Sequence, residues 1–288
     1  MKFYRIYIEL TNVCGLKCSF CPTKELPSQS MGLEFFDSIV SQARDYTKEI
    51  ACHVMGDPMT LSDLDRYLDI IHRYDMKALL TTSGYYLKKQ GFDRLFHPSI
   101  KQINISLNSF NKNDTSYSLE QYLQPILRLC DEKMLRDSEM FINLRLWNLD
   151  EKMSERDFNL KLFDYLSHHF DIELDLDTIH SDRVKSIRLD YKILLHFDHY
   201  FEWPSLSNPY YGDGSCQGLS SHIAILSSGK VVPCCLDSDG IIELGDLKVD
   251  RLDDILQSSR VFSIRDGFSR SVAVEKLCQH CSYKDRFL

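Results

Sequence analysis

The chain has 288 residues, 43% of them hydrophobic and 26% charged, which suits one large globular domain or one large and one small domain. No stretch approaches the roughly 20 apolar residues of a membrane span. The first residues, MKFYRIYIEL, carry Arg5 and Glu9 inside their apolar run, which excludes a signal peptide. The net charge of −8 argues against a nucleic-acid partner and favours a small-molecule or peptide substrate. We predict a cytoplasmic protein.

Short β-rich runs alternate with amphipathic helical runs from residue 3 to about 175. The predicted strands are 3–10, 50–56, 77–84, 101–109, 139–148 and 170–176, and the predicted helices are 32–48, 61–74, 118–134 and 156–169. Ser118 is the predicted N-cap of the third helix, with Gln121 at the capping-box position. This alternation indicates parallel strands joined by helical crossovers, and about six units predict an α/β fold, a partial (β/α)6 TIM-like barrel.

The remainder of the chain departs from this alternation. Residues 177–212 are polar and aromatic, and we interpret them as the join to a second unit. We place the partial barrel at residues 1–205 and a small cysteine-rich module at residues 206–288. Within the module, residues 222–234 predict a β-hairpin that turns at Ser-Ser-Gly-Lys.

The 10 cysteines cluster towards both ends of the chain. Disulfides are rare in reducing compartments, which leaves metal ligands, redox thiols and buried core residues. Cys52 and Cys130 stand alone in a predicted strand and a predicted helix, and we interpret both as core residues. Three cysteines lie between residues 14 and 21 and five between residues 216 and 281, a distribution that predicts two metal sites.

The first group lies in the stretch TNVCGLKCSFCPT, where Cys14, Cys18 and Cys21 have the spacing C-x3-C-x2-C. Iron–sulfur clusters usually have four thiolate ligands, so three ligands leave one iron open. An open coordination position allows a metal to bind and act on a small molecule. The loop follows the first predicted strand, and in parallel α/β folds the functional loops lie at the carboxyl ends of the strands.

This motif, with the aromatic residue Phe20 before its last cysteine, resembles the signature of the radical S-adenosylmethionine (radical SAM) superfamily. The resemblance implies that the open iron of a [4Fe–4S] cluster binds S-adenosylmethionine. It further implies reductive cleavage to a 5′-deoxyadenosyl radical, which abstracts a hydrogen atom from the substrate, and an electron donor such as flavodoxin or ferredoxin. The cofactor supplies this chemistry, and the protein orients and shields it.

Other stretches between residues 3 and 176 match the family pattern. Gly56-Asp57-Pro58 resembles the Gly-Glu-Pro motif, whose backbone meets the amino group of the methionine moiety, although Asp replaces the usual Glu. Thr82-Ser83-Gly84 resembles the Thr-Asn-Gly motif. Ser106 and Asn108, at the end of the fourth strand, match positions that reach the ribose or carboxylate, and Arg145 and Asn148 end the fifth strand at similar depth. The resemblance therefore implies these cofactor-binding residues: Phe20, Gly56, Asp57, Pro58, Thr82, Ser83, Ser106, Asn108 and Arg145.

The second group contains Cys216, Cys234, Cys278 and Cys281, with the spacing C-x17-C-x43-C-x2-C. It resembles the twitch module of radical SAM enzymes, the shorter relative of the SPASM module, and implies one fully ligated auxiliary [4Fe–4S] cluster. Cys235 stands beside Cys234 and leaves the choice of ligand open, although the spacing from Gly229 favours Cys234. Four cysteines also hold zinc, which is the alternative interpretation. About eight irons per chain would indicate two clusters, and about four would indicate zinc in the module.

A fully ligated cluster suits electron transfer during oxidation of a substrate radical. We therefore predict an oxidoreductase or lyase that acts on a small polar metabolite, such as a sugar, cyclitol or nucleoside derivative. Three alternatives remain: a peptide-maturing enzyme, an enzyme acting on modified nucleosides or tRNA, and a non-catalytic metal-binding scaffold. Peptide-maturing relatives often carry an N-terminal recognition domain, and the first cysteine loop begins at residue 14, which favours the small molecule.

Overall fold

The computed structural model describes residues 1–23, 26–113, 115–149, 155–181 and 184–287. Its strands are β1 (Arg5–Ile8), β2 (Glu49–Ala51), β3 (Lys77–Thr82), β4 (Ile100–Ser106), β5 (Phe141–Leu146), β6 (Ser186–Asp190), β7 (Ile193–Phe197), β8 (His222–Ile225), β9 (Lys230–Val232) and β10 (Gly245–Asp246). Its α-helices are α1 (Leu33–Ala43), α2 (Leu64–Arg73), α3 (Leu87–Gln90), α4 (Phe92–Leu95), α5 (Leu119–Leu135), α6 (Arg156–Phe170), α7 (Leu176–Ser181), α8 (Leu252–Leu256), α9 (Ser259–Ser269) and α10 (Lys276–Gln279). Short 3-10 turns follow β2, β4 and α10, at Pro58–Thr60, Leu107–Ser109 and Ser282–Phe287.

These elements belong to two compact units. The first unit contains residues 1–15, 21–79 and 201–288, and the second contains residues 16–20 and 80–200. Strand β3 begins in the first unit and ends in the second. The domain boundary at residue 205 stays a prediction.

The first unit contains a sheet with the strand order β10-β9-β8-β1-β2-β3. Strand β1 pairs in parallel with β2, opposing Ile6 to Ile50, and β2 pairs in parallel with β3. The other edge of β1 pairs in parallel with β8, opposing Ile6 to Ile223. Strands β8 and β9 form an antiparallel hairpin, which confirms the predicted turn at Ser-Ser-Gly-Lys. The C-terminal cysteine-rich sequence thus continues the sheet of the N-terminal strands.

The second unit has the strand order β4-β5-β7-β6. Strands β4, β5 and β7 are parallel, and β6 pairs with β7 in an antiparallel hairpin. Burial alternates along β5, so that Ile142 and Leu144 are completely buried while Asn143 and Arg145 occupy the opposite, half-buried face. Together with the parallel strands of the first unit, this arrangement confirms the predicted α/β class.

The helices follow the hydrophobic spacing of the sequence. Helix α1 buries Phe36, Ile39 and Val40 along one side. Helix α5 begins at the predicted capping box, in which the Ser118 side chain accepts from the backbone N–H of Gln121 and the Gln121 side chain accepts from the backbone N–H of Ser118. Within the ranges that the structure describes, every helix is too short or too polar to cross a membrane.

The strand predicted at residues 170–176 is wrong. Helix α6 continues to Phe170, and Asp171 adopts a left-handed conformation at its C-terminus, with φ 51° and ψ 48°. Helix α7 then begins at Leu176. The next parallel strand is β7, which lies in the segment that the sequence analysis assigned to the join. The pairing of β7 with β5 decides where this strand lies in the sheet. The alternation of apolar and polar residues in FDIELDL gave no information about a partner so distant in the sequence.

Candidate metal and cofactor sites

The three-cysteine loop (residues 14–21) follows β1 and is closed at its base by one asparagine. The Asn12 side chain accepts from the backbone N–H of Gln29 at 2.8 Å and donates to the carbonyl of Pro27 at 2.8 Å. The backbone N–H of Asn12 also donates to the carbonyl of Gln29 at 3.1 Å. These bonds hold the chain that leaves β1 against the chain that leads to α1, so both ends of the loop are fixed.

The predicted Gly56-Asp57-Pro58 motif packs against the residues that precede this loop. Gly56 has φ +69°, and a Cβ there would lie 2.3 Å from the carbonyl oxygen of Thr11, so only glycine permits this close approach. The backbone N–H of Asp57 donates to the carbonyl of Val13 at 2.9 Å. The buried Asp57 carboxylate accepts from the backbone N–H of Met59 at 3.0 Å and caps the 3-10 turn. Aspartate therefore has a structural role at this position.

The sequence analysis missed Glu9, a buried carboxylate just after β1. Its Oε1 accepts from the backbone N–H of Met55 at 3.0 Å. Its Oε2 accepts from the backbone N–H and the hydroxyl of Ser227, at 3.0 and 2.7 Å. Glu9 thus joins the residue before Gly56 to the turn of the β8–β9 hairpin. The sequence signal for this role was an acidic residue inside an apolar strand, because a carboxylate that is buried requires hydrogen-bond partners.

In the second unit, Cys18 contacts a residue that the sequence analysis also missed. The Asn113 side chain lies with its Nδ2 3.0 Å from the Cys18 Sγ and donates to the carbonyl of Ser109 at 2.8 Å. Its Oδ1 accepts from the backbone N–H of Lys17 at 2.8 Å. Asn113 therefore holds the middle of the three-cysteine loop and offers its amide to the thiol. Asn113 lies 95 positions after Cys18 in the sequence, and this separation left no sequence signal for the contact.

A tyrosine of α5 connects the ends of β3 and β4, where several cofactor contacts are predicted. The Tyr122 hydroxyl donates to the carbonyl of Ser83 at 2.7 Å and lies 3.4 Å from the carbonyl of Ser106. Thr82 is buried at the end of β3, and Asn108 is buried in the 3-10 turn after β4. The structure therefore brings Ser83 and Ser106 together around one hydroxyl.

Phe20 and Arg145 each pack against an aromatic partner in the second unit. The rings of Phe20 and Tyr200 have centroids 5.6 Å apart. The Arg145 guanidinium lies 4.9 Å from the ring centroid of Trp147, whose indole N–H donates to the Nδ1 of His196 at 3.2 Å. Burial, together with the positive charge of Arg145, lowers the pKa of His196 and favours its neutral form.

The four cysteines of the C-terminal group lie close enough to influence one another. Burial raises the pKa of the Cys234 thiol well above its usual value, and negative charge on Cys216 or Cys278 would raise it further. Burial likewise raises the pKa of Cys278, with additional contributions from Cys216 and Cys281. The structure therefore brings these four predicted ligands together, although Cys281 lies 65 positions after Cys216 in the sequence.

Cys235 has a different environment from Cys234. It packs against a buried apolar cluster that includes Val54, Ala224 and Val232. Cys234 interacts with the thiol of Cys235 and also with those of Cys216 and Cys278. These contacts favour Cys234 as the ligand and Cys235 as a packing residue, in agreement with the spacing from Gly229.

The four-thiol group fits an iron–sulfur cluster in its donor chemistry. Thiolates are cluster ligands, and a cationic iron core would offset the burial and the mutual repulsion that raise the pKa of these thiols. In the described part of the chain, no group of three or more Cys, His, Asp or Glu side chains is arranged to hold a single metal ion. Four thiolates bound to one zinc ion at about 2.3 Å would lie about 3.8 Å from one another. In an iron–sulfur cluster each thiolate binds a different iron, so the four thiolates lie further apart.

Comparisons with known proteins identify the class to which this fold and these thiols belong. Residues 8–144 match the family model of the radical SAM superfamily, and residues 216–282 match that of the SPASM iron–sulfur cluster-binding domain. The chain therefore carries a radical SAM domain followed by a SPASM-type domain, which confirms the resemblance seen in the sequence. These matches indicate an enzyme, and the two domains imply S-adenosylmethionine, a [4Fe–4S] cluster and auxiliary iron–sulfur binding as its cofactors.

Two curated relatives are GTP 3′,8-cyclases. The protein of Aliarcobacter butzleri is 24% identical over 199 residues, which cover 62% of this chain and 60% of the relative. The protein of Nautilia profundicola is 26% identical over 119 residues, 38% of this chain and 36% of the relative. The chain therefore matches about a third to three fifths of the length of these relatives.

Solved structures show the same fold at low identity. BtrN in complex with AdoMet and 2-DOIA has a TM-score of 0.61 and 16% identity, covering 98% of this chain and 94% of BtrN. SuiB of Streptococcus suis bound to precursor peptide SuiA has a TM-score of 0.60 and 17% identity, covering 97% of this chain and 71% of SuiB.

Proposed function

We propose that this enzyme abstracts a hydrogen atom from a small polar metabolite, such as a sugar, cyclitol or nucleoside derivative, and passes the resulting electron to one auxiliary cluster. The grouping of Cys216, Cys234, Cys278 and Cys281 carries this proposal, because four thiols suffice for one fully ligated cluster. A cluster without an open iron suits electron transfer rather than substrate binding. The oxidised substrate would lose one hydrogen atom, one proton and one electron.

We assign Cys14, Cys18 and Cys21 to the cluster that binds S-adenosylmethionine, which when bound supplies the radical chemistry. Asn113 would hold Cys18 in position, and Gly56 would hold the start of the three-cysteine loop. The cofactor-binding residues that the sequence resemblance implies, of which Phe20 is the first and Arg145 the last, remain part of this proposal. A low-potential donor such as flavodoxin or ferredoxin would supply the electron that begins each turnover.

A polar face in the second unit supports a hydrogen-bonding substrate. The Gln102 side chain donates to the Asn104 Oδ1 at 2.6 Å, and the Asn143 side chain donates to the same oxygen at 3.2 Å. Arg145 and His196 are register partners on β5 and β7, further along these parallel strands. Amide, guanidinium and imidazole groups on neighbouring strands can orient hydroxyls, carbonyls or a nucleobase.

The relatives support two substrate classes. The name GTP 3′,8-cyclase describes an enzyme that acts on a nucleotide, and BtrN was solved with 2-DOIA. Both names favour a small polar substrate for this chain. The structure of SuiB with its precursor peptide supports the alternative of peptide maturation.

Anaerobic reconstitution followed by 5′-deoxyadenosine measurement tests the proposal. Reduced enzyme is incubated with S-adenosylmethionine and with separate fractions of nucleotides and nucleosides, sugars and cyclitols, and peptides. We expect about eight irons per chain and a rise in 5′-deoxyadenosine with one small-molecule fraction. Cys18→Ala should abolish the signal, whereas the matched Cys130→Ala variant should retain it, because Cys130 is buried in α5.

Two outcomes would change the assignment. A rise with the peptide fraction alone would replace the metabolite with a peptide substrate. About four irons per chain, with Cys278→Ser leaving the iron content unchanged, would show that the C-terminal thiols hold no iron–sulfur cluster and would refute the proposed electron acceptor.

A further inference from the structure

A buried lysine lies against the C-terminal pair of predicted cluster ligands. Lys284 is 2% exposed. Its ammonium donates to the carbonyl of Cys281 at 2.9 Å and to the carbonyl of Cys278 at 3.3 Å. The lysine ammonium therefore donates to the backbone carbonyls of two of the four predicted auxiliary ligands.

The surroundings keep this charge in place without neutralising it. The Lys284 side chain packs on Gly214, where a Cβ would lie 2.9 Å from the lysine Cδ. The Tyr211 ring lies with its centroid 5.7 Å from the ammonium. Among residues 1–23, 26–113, 115–149, 155–181 and 184–287, no carboxylate forms an ion pair with this lysine. A buried lysine normally has an acidic partner, so the absence of one in the described chain calls for another anion nearby.

The thiolates of the ligand residues are negative groups close to this lysine, whose ammonium binds the carbonyls of Cys278 and Cys281. A cluster held by four thiolates carries a net negative charge, and reduction adds one more. A fixed cation therefore stabilises the reduced state more than the oxidised state.

We propose that Lys284 is the fixed counter-charge of the auxiliary cluster and raises its reduction potential, which makes the cluster a better electron acceptor. This inference rests on the proposed function insofar as it requires a cluster on the four C-terminal thiols. It does not depend on the substrate. Lys284 is a positioning residue in this role, because it acts through the cluster and does not touch the substrate.

Covalent geometry sets the expected size of the effect. The ammonium lies 2.9 Å from the Cys281 carbonyl oxygen. The sulfur of the same residue lies within about 5 Å of that oxygen, so the charge is within about 8 Å of a ligand sulfur. At an effective dielectric constant of about 20, a unit charge within about 12 Å changes a one-electron equilibrium at least tenfold. Loss of the charge should therefore lower the reduced-to-oxidised ratio at least tenfold at the wild-type midpoint, a shift of about 59 mV.

An anaerobic redox titration monitored by electron paramagnetic resonance measures this shift without turnover. The variants are Lys284→Met, which removes the charge, Lys284→Gln, which removes the charge but keeps a donor for the carbonyls, and Lys284→Arg, which keeps the charge. Lys276→Met is the matched control, because Lys276 is an exposed lysine two residues before Cys278. We expect a more negative auxiliary potential in the Met and Gln variants and values near wild type for Lys284→Arg and Lys276→Met. The potential of the S-adenosylmethionine-binding cluster is recorded in the same samples.

Every outcome decides the proposal. An unchanged auxiliary potential in a fully loaded Lys284→Met or Lys284→Gln variant overturns it. Loss of the auxiliary cluster in both neutral variants, with retention in Lys284→Arg, would mean that Lys284 is required to assemble the ligand turn, and would also overturn it. A wild-type protein without an auxiliary signal would instead refute the proposed function, so the two failures are distinguishable.

Discussion

Replacing Glu9 by glutamine tests the connection between the three-cysteine loop and the C-terminal hairpin. The carboxylate accepts three hydrogen bonds, one from Met55 and two from Ser227. Glutamine has nearly the same shape but only one acceptor oxygen. Its NH2 group must therefore face either the backbone N–H of Met55 or that of Ser227, and two donors then meet without an acceptor.

The expected loss of stability follows from these contacts. Leaving one buried backbone N–H without an acceptor costs about 1 to 3 kcal/mol, and the bonds that remain lose their charged acceptor. We expect Glu9→Gln to lower the free energy of unfolding by about 3 kcal/mol. For a chain of this size, each kcal/mol corresponds to roughly 2 to 4 °C in melting temperature, so the expected decrease is roughly 6 to 12 °C.

Thermal unfolding and iron content measure the two consequences together. The melting temperature is followed by circular dichroism on anaerobically reconstituted protein, and iron is counted in the same preparation. We also expect reduced iron loading, because Met55 immediately precedes the glycine that packs on the start of the three-cysteine loop. Glu34→Gln is the control, since Glu34 is exposed in the first turn of α1, and its change should stay within about 0.5 kcal/mol.

A Glu9→Gln melting temperature within the range of the Glu34→Gln control, with normal iron content, would refute this reasoning. It would mean that the hydrogen bonds of Glu9 contribute no net stability. A stability loss with normal iron loading would support the energetic argument and contradict the proposed support of the metal site.

Three further predictions concern the thiols and a half-buried histidine. Asn113→Ala should make the cluster at Cys18 at least tenfold more labile to a chelator, since a hydrogen bond to a charged group is worth about 1.5 to 3 kcal/mol, while the auxiliary cluster decays at its usual rate. Cys234→Ser should lower the iron content by about four per chain, whereas Cys235→Ser should leave it unchanged. Burial lowers the pKa of His222 to about 4, so the unfolded chain takes up a proton below pH 6.5 that the folded chain does not. Stability should therefore fall by about 2 kcal/mol between pH 7 and pH 5 in denaturant titrations, and this fall should be absent in His222→Gln.

Features encoded by short segments could be predicted from the sequence. The capping box of α5 depends on residues three positions apart, and the Ser-Ser-Gly-Lys turn is contained in four residues. The spacing of Cys14, Cys18 and Cys21 likewise identified the radical SAM superfamily without knowledge of the fold. In each case the interacting groups are near neighbours, so their order in the chain contains most of the geometry.

Features that depend on distant partners could not be predicted. Ser227 lies 218 residues from Glu9, and Asn113 lies 95 residues from Cys18. Strand β7 was missed because its position depends on pairing with β5, which the sequence does not reveal. The FDIELDL segment showed alternation of apolar and polar residues at least as good as that of β7. Sequence patterns report which residues can form a strand or accept a hydrogen bond, and the tertiary fold decides which of them do.

The first unit shows why a change near the N-terminus should affect the C-terminal thiols. Strand β1 leads into the three-cysteine loop, and β8 pairs along the whole of β1 before the hairpin continues through β9 to Cys234. Gly229 in the hairpin turn has φ +100° and a Cβ there would lie 2.9 Å from the Phe35 ring of α1, so the turn is also packed against the first helix. The strand that leads into the loop and the hairpin are therefore parts of one sheet, and the hydrogen bonds of Glu9 join its end to the hairpin turn. The C-terminal ligands depend on the N-terminal strand for their position, and a truncated module without β1 would lack the partner of its first strand.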